Sequence, residues 1–233
     1  FTDKNGLVNV FNLEVADTNT YVAEGKIVHN CDTDFRFDNG VPLSFELLYS
    51  LCRSLYPGVY SGFQEGRRLI VITGGEPMLQ NSLVQFIASA PPELHFQIES
   101  NGTRLLKLSK TRVYLVVSPK IISCKGEYSI LSKRVFERAD CLKFVVSADA
   151  NNPYHSLPDY AFDFMKSRRP VFVSPMAVYI TEPKIGESSS VSIWDPTLFD
   201  HVQCARNHRY AMQLAMDYGF RVSVQMHLFG GVE

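Results

Sequence analysis

Three neighbouring side chains, His29, Asn30 and Cys31, bring three different chemistries to one point of the chain. A cysteine thiolate is a nucleophile and a soft metal ligand. An asparagine amide can attack its own backbone carbonyl and so cut the chain behind it. An imidazole can polarise that carbonyl or pass a proton near neutral pH. As an isolated tripeptide the run is a loop sequence that recurs by chance, so its meaning rests on what surrounds it.

Farther along, small and polar residues gather after apolar runs. Thr73-Gly74-Gly75-Glu76-Pro77 follows one run, Glu99-Ser100-Asn101-Gly102-Thr103 a second and Ser118-Pro119-Lys120 a third. Ser147 with Asp149 follows a fourth, Ser174-Pro175 a fifth, and Gln225 with His227 ends a sixth. The apolar runs read as strands at Arg68–Thr73, Leu94–Glu99, Val113–Ser118, Cys141–Val146, Pro170–Ser174 and Phe220–Met226. Helical stretches lie before or between them: Pro42–Tyr56, with its stripe of Leu43, Leu47, Leu48, Leu51 and Leu55, then Met78–Ala90, Asp159–Lys166 and Thr197–Tyr218. Strand and helix in alternation predict an α/β fold with a parallel sheet and crossover helices. Near-continuous apolar strands suit a sheet covered on one face and closed on the other, a partial (β/α) barrel. In such a barrel the C-terminal strand edge is where active sites lie. Loops are polar in any protein, and for one strand that explanation suffices. Six strand ends of six, with Gly-Gly-Glu and Ser-Pro-Lys among them, favour a site.

Composition narrows the class. A length of 233 residues suits one large or two smaller domains, and 45% hydrophobic with 20% charged residues is an ordinary globular balance. A net charge of −1 gives no general attraction to nucleic acid or to an acidic membrane surface. No uncharged apolar run approaches a membrane span and no signal peptide opens the chain, so a cytoplasmic protein is the default expectation. The five cysteines, Cys31, Cys52, Cys124, Cys141 and Cys204, are scattered and odd in number, which is not a disulfide framework. Cys52 and Cys141 fall in helix and strand patterns, where a small buried hydrophobe is the expected role. The first residue is Phe1 rather than Met, as expected of a piece of a longer translated chain.

Residues 1–30 form a unit of their own in the sequence. Val8–Val15 reads as a strand, Asp17-Thr18-Asn19 as a turn, Thr20–Val22 and Lys26–Val28 as short strands around Glu24-Gly25. So small a β meander cannot bury a core alone, and it is expected to pack against something outside this chain. The run VFNLEVADTNTYVAEGKIVHNC resembles the two C-terminal motif blocks of inteins, in order and at family spacing. The resemblance implies that Cys31 attacks an upstream thioester, that Asn30 cyclises and cuts the chain after itself, and that His29 assists the cyclisation. Asn19 stands where many inteins carry a histidine, which bears on the rate of that step. The first intein cysteine and its Thr-x-x-His block are not present, so splicing would need an upstream partner fragment, in cis or in trans.

Residues 31–233 carry a second resemblance. Cys31-Asp32-Thr33-Asp34-Phe35, Thr73-Gly74-Gly75-Glu76-Pro77, Glu99–Thr103, Ser118-Pro119-Lys120 and the closing Arg221–His227 occur in that order. Together they resemble the radical S-adenosylmethionine (SAM) family and, within it, the 7-carboxy-7-deazaguanine synthases. The resemblance implies that Cys31 is one thiolate of a 4Fe–4S cluster whose open iron site binds SAM. It places Asp32, Gly74, Gly75, Glu76, Ser118, Pro119 and Lys120 at SAM, Thr33 on Mg²⁺, and Thr73, Gln225 and His227 at a pterin substrate. The implied reaction contracts 6-carboxytetrahydropterin to 7-carboxy-7-deazaguanine with loss of ammonia. An electron-donor protein such as flavodoxin and a homodimer are further implications. Departures stand beside these matches. Val28 occupies the position of the preceding cluster cysteine, Ser174-Pro175 stands where the family often has Gln-Pro, and His227-Leu228 where it often has His-Lys. His227 could equally be a satisfied core histidine. Two other readings remain open on sequence alone: a different radical SAM enzyme such as an activase, and an inactive orphan splicing fragment.

Overall fold

The structure is a computed structural model and describes residues 8–9, 14–15, 21–23, 26–28, 42–54, 68–73, 76–92, 94–122, 126–180 and 198–224. The chain divides into two compact units. One comprises Phe1–Ser100 with Arg104–Leu115, the other Asn101–Thr103 with Val116–Glu233.

In the first unit, β1 (Val8–Asn9), β2 (Glu14–Val15), β3 (Tyr21–Ala23) and β4 (Lys26–Val28) are short, followed by β5 (Pro42–Leu43) and α1 (Phe45–Ser54). Of the strand expected over Val8–Val15, Val8–Asn9 and Glu14–Val15 are extended and paired, and residues 10–13 lie outside the described set. β3 and β4 pair antiparallel, Tyr21 opposite Val28 and Ala23 opposite Lys26. Then come β6 (Arg68–Ile72), a 3₁₀ turn at Pro77–Leu79, α2 (Ser82–Ser89) and β7 (Leu94–Ser100). β6 and β7 run parallel from Arg68 opposite Leu94 to Ile72 opposite Ile98. β2 pairs antiparallel to the other edge of β6, Glu14 opposite Val71 and Val15 opposite Ile70. β1 pairs with β5. Within residues 1–30, β1 and β2 therefore find strand partners in the rest of this chain, where a partner outside it was expected. The physical reason is that a strand edge presents unpaired N–H and C=O groups, which any extended segment can satisfy.

The helix expected over Met78–Ala90 is broken in two. Gln80 is extended (φ −84°, ψ 100°), which ends the 3₁₀ turn before α2 begins. α2 turns Leu83, Phe86 and Ile87 inward, where Phe86 stacks on Tyr49 of α1 and meets Phe96 of β7 edge-on. Arg112 finishes this packing. Its guanidinium donates to the carbonyls of Ile87 and Ala90, at the end of α2, and of Pro91 and Leu94, on the way into β7.

The second unit holds the end of β8 (Val113–Val117), a hairpin of β9 (Ile121–Ile122) and β10 (Glu127–Tyr128), α3 (Lys133–Arg138), β11 (Cys141–Val146), α4 (Asp159–Lys166), β12 (Val171–Pro175), α5 (His201–Tyr218) and β13 (Arg221–Val222). Four of its strands pair in parallel, in the order β8-β11-β12-β13, while β9 and β10 pair antiparallel with each other. Phe144, Phe164, Leu142, Val146 and Val173 are wholly buried, each worth about 1.5–3 kcal/mol of hydrophobic stabilisation. Asp200 caps α5 through Gln203 N–H, and Gly219 ends it in the left-handed region at φ 76°. The helix expected from Thr197 thus begins at His201. The fold is α/β with a mostly parallel sheet. No helix among the described residues is long and apolar enough to cross a membrane.

Candidate active site

In the first unit the site-bearing loop leaves β6 at Thr73, which is half-buried. Gly74 and Gly75 lie outside the described residues, and Glu76 follows them in the chain. The Glu76 carboxylate caps the turn that follows: Oε1 accepts from Met78 N–H at 3.0 Å, with Pro77 in the first position, where its missing N–H costs nothing. The same Oε1 accepts from Ser100 Oγ at 2.8 Å. Ser100 is the last residue of β7 and only 3% exposed. The bond therefore ties the C-terminal ends of two adjacent parallel strands. A hydrogen bond to a charged group of this kind contributes about 1.5–3 kcal/mol. Glu76 was expected at SAM. In the structure one of its carboxylate oxygens is engaged twice within the protein, so the side chain ties the Pro77–Leu79 turn to the end of β7.

In the second unit, Asn101-Gly102-Thr103 forms a tight turn, with Asn101 Oδ1 accepting from Thr103 N–H (2.9 Å) and Thr103 Oγ1 (2.7 Å). Gly102 has φ 79°, and a Cβ there would lie 2.7 Å from both Leu131 Cδ2 and Val117 Cγ1. Only glycine fits on either count. Ser118 is half-buried, Pro119 buried and Lys120 exposed, immediately beyond β8. Ser147 and Ser174 are buried at the C-terminal ends of β11 and β12, and Pro175 closes β12. Thr73, Glu76, Ser118, Pro119 and Lys120 thus each sit at or just past a strand C-terminus, where the sequence places them.

The loops after β11 and β12 share a clamp that sequence reasoning missed. Asn207 of α5 is fully buried. Its Oδ1 accepts from Ala148 N–H (2.8 Å) and Gln203 Nε2 (3.1 Å), and its Nδ2 donates to the Met176 carbonyl (2.8 Å). His155 faces the Ser147 carbonyl through Nδ1 at 3.0 Å, so that nitrogen carries the proton, and its ring stacks on Tyr210 at 4.8 Å. The signal was present: Asn207 interrupts a helical stripe of Cys204, Ala211 and Leu214. Asn207→Leu keeps the branching of the side chain but removes its polar atoms, stranding a buried N–H and a buried C=O. A loss of about 2–4 kcal/mol in urea unfolding is expected. A change below about 0.5 kcal/mol, the size of an ordinary surface substitution, would contradict the clamp.

His29, Asn30, Cys31, Asp32, Thr33, Gln225 and His227 lie outside the described residues, as do Gly74 and Gly75. Cys141 is 2% exposed, the small buried hydrophobe expected of it, whereas Cys204 holds Val178 N–H through Sγ at 3.3 Å. No cluster of three or more His, Cys, Asp or Glu suited to a metal occurs among the described residues.

No protein-family model matches the chain. Two curated proteins are similar to it. A 7-carboxy-7-deazaguanine synthase of Rickettsia prowazekii is 29% identical over 168 residues, 71% of this chain and 59% of its own length. A 7-carboxy-7-deazaguanine synthase of Rhodospirillum rubrum is 28% identical over 207 residues, 84% of this chain and 75% of its own length. The chain therefore spans somewhat over half of the Rickettsia relative. A crystal structure of QueE from Escherichia coli shares the fold, with a TM-score of 0.50 at 19% identity over 81% of this chain and 66% of that one. These similarities support homology between this chain and the 7-carboxy-7-deazaguanine synthases.

Proposed function

We propose that residues 31–233 are the larger part of a 7-carboxy-7-deazaguanine synthase built as a partial (β/α) barrel, and that residues 1–30 are an intein tail that splices at Asn30/Cys31. The observation that carries the first half is the sequence similarity to two such synthases over 71% and 84% of the chain. The second half is supported by the motif order through His29-Asn30-Cys31 and by the Tyr21–Val28 hairpin leading directly into it.

The chemistry of the described side chains fits the methionyl end of SAM. Lys120 offers a cation for its carboxylate, and Ser118 an oxygen beside it. Glu76 is bonded to Ser100, and the two glycines before it in sequence are residues whose backbone can approach a ligand closely. Cys31 would hold one iron of the cluster and Thr33 a Mg²⁺. When bound, the cluster and SAM supply the radical chemistry, and the protein's part is to bind, orient and shield. By the same resemblance, Thr73, Gln225 and His227 are the residues that would contact 6-carboxytetrahydropterin. An electron donor such as flavodoxin would supply the reducing electron.

Cys31 has Val28 where a neighbouring cluster cysteine would stand, and no cysteine precedes it in this chain. One thiolate cannot replace three. Anaerobic reconstitution of this chain by itself is expected to yield iron and sulfide far below one cluster per chain. A stoichiometric cluster that SAM perturbs spectroscopically would overturn the reading of a synthase interrupted in its cluster loop.

A further inference from the structure

We propose that Tyr128 and Tyr160 are positioning residues that hold the Ser118-Pro119-Lys120 loop in place for a bound SAM. The proposal rests on the SAM reading above and assigns a task to two tyrosines that neither the motifs nor the similarities single out.

The need for a brace comes from the sheet. β8 and β11 pair only at Cys141 opposite Val116 and Leu142 opposite Val117. β11 then continues alongside β12 as far as Val146 opposite Pro175, while the chain leaves β8 through Ser118-Pro119-Lys120. Past Leu142, β11 has outrun its partner on that side. Lys120 stands at this parting, exposed, and leads into the hairpin of β9 and β10. That hairpin has two residue pairs, Tyr128 opposite Ile121 and Glu127 opposite Ile122. A two-stranded ribbon so short is at best marginally stable by itself.

Two hydroxyls fasten it. Tyr128 Oη donates to the Val145 carbonyl on the stretch of β11 beyond β8, at 2.7 Å. Its ring is buried, edge-on to Phe144 and Tyr154 at 5.2 and 5.7 Å. Tyr160 Oη, from α4, donates to the Ser129 carbonyl at 2.9 Å. Ser129 in turn donates its N–H to the Lys120 carbonyl at 2.9 Å. The line of bonds runs from β11 and α4, through Tyr128 and Ser129, to the backbone of Lys120. Burial pushes both phenols well above their ordinary pKa, so both remain donors throughout the working pH range. A held backbone lowers the ordering cost that Lys120 must meet when a carboxylate arrives.

The test uses the enzyme formed by joining this chain to its upstream portion, as wild type, Tyr128→Phe, Tyr160→Phe, Lys120→Ala and Tyr128→Phe/Lys120→Ala. Each Phe variant loses one net hydrogen bond. It is expected to raise the KM for SAM about fivefold, with a smaller change in kcat. In the double variant the Tyr128→Phe effect should vanish, because the brace acts through Lys120. Amide exchange at Ser129 should quicken in both Phe variants, while amides of α5 keep their protection. If Lys120→Ala raises the KM for SAM but neither Phe variant does, or if the effects simply add, the proposal falls and the SAM reading stands. If Lys120→Ala leaves the KM unchanged, the SAM reading falls and the proposal with it.

Discussion

Given the matching upstream intein fragment, Asn30→Ala is expected to leave residues 1–30 attached to the remainder, with no spliced product on a gel or by mass spectrometry. Alanine has no amide to attack the backbone carbonyl, and no neighbouring side chain can substitute, because cyclisation requires the nucleophile on the residue that is cut. Cys31→Ala should stop an earlier step, since the methyl group cannot take over the acyl chain from the thioester. His29→Ala should slow release by roughly 100-fold rather than abolish it, the usual worth of a positioned acid–base group. The β3–β4 hairpin, with Val28 opposite Tyr21, delivers the chain to this junction and should be unaffected by any of the three changes. Spliced product from Asn30→Ala would end the intein reading while leaving the similarity to the synthases untouched.

Splicing is then expected to switch catalysis on. Before it, Cys31 follows Val28-His29-Asn30, and β2 lies antiparallel along the outer edge of β6. After it, on the proposed reading, Cys31 would follow the cysteine pair of the upstream portion in one loop. Turnover with SAM and Mg²⁺ should rise in step with spliced product, from none in the unjoined mixture. Thr33→Ala should splice normally and still take up cluster, yet lose the Mg²⁺-dependent part of its rate, because only one oxygen ligand has gone. Equal turnover before and after joining would contradict the switch. Mg²⁺ dependence unchanged in Thr33→Ala would remove that residue from the site.

The strands were legible because burial on both faces writes near-continuous apolar runs: Arg68–Ile72, Val113–Val117, Cys141–Val146 and Val171–Pro175 all sit where the sequence puts them. α4 has the bounds its Asp159–Lys166 stripe predicts. α3 was missed because six residues with one buried side chain, Val135, carry no periodic signal. The β9–β10 hairpin was missed for the same reason: two-residue strands are too short to alternate. The two glycines before Glu76 drew attention to it as a candidate, but its bond to Ser100 depends on β6 and β7 being neighbours. No local pattern states that. Tyr128 and Tyr160 read as ordinary aromatic filling, since only the tertiary fold brings their hydroxyls to Val145 and Ser129.

The most direct measurement is product analysis of the joined enzyme, reconstituted anaerobically and given 6-carboxytetrahydropterin, SAM, Mg²⁺ and a reductant. Formation of 7-carboxy-7-deazaguanine is expected, with one ammonia released per turnover and the yield tracking the amount of spliced protein. SAM cleavage without any change in the pterin would contradict the substrate assignment, and the absence of both SAM cleavage and product from fully loaded, fully joined enzyme would contradict the proposed function itself.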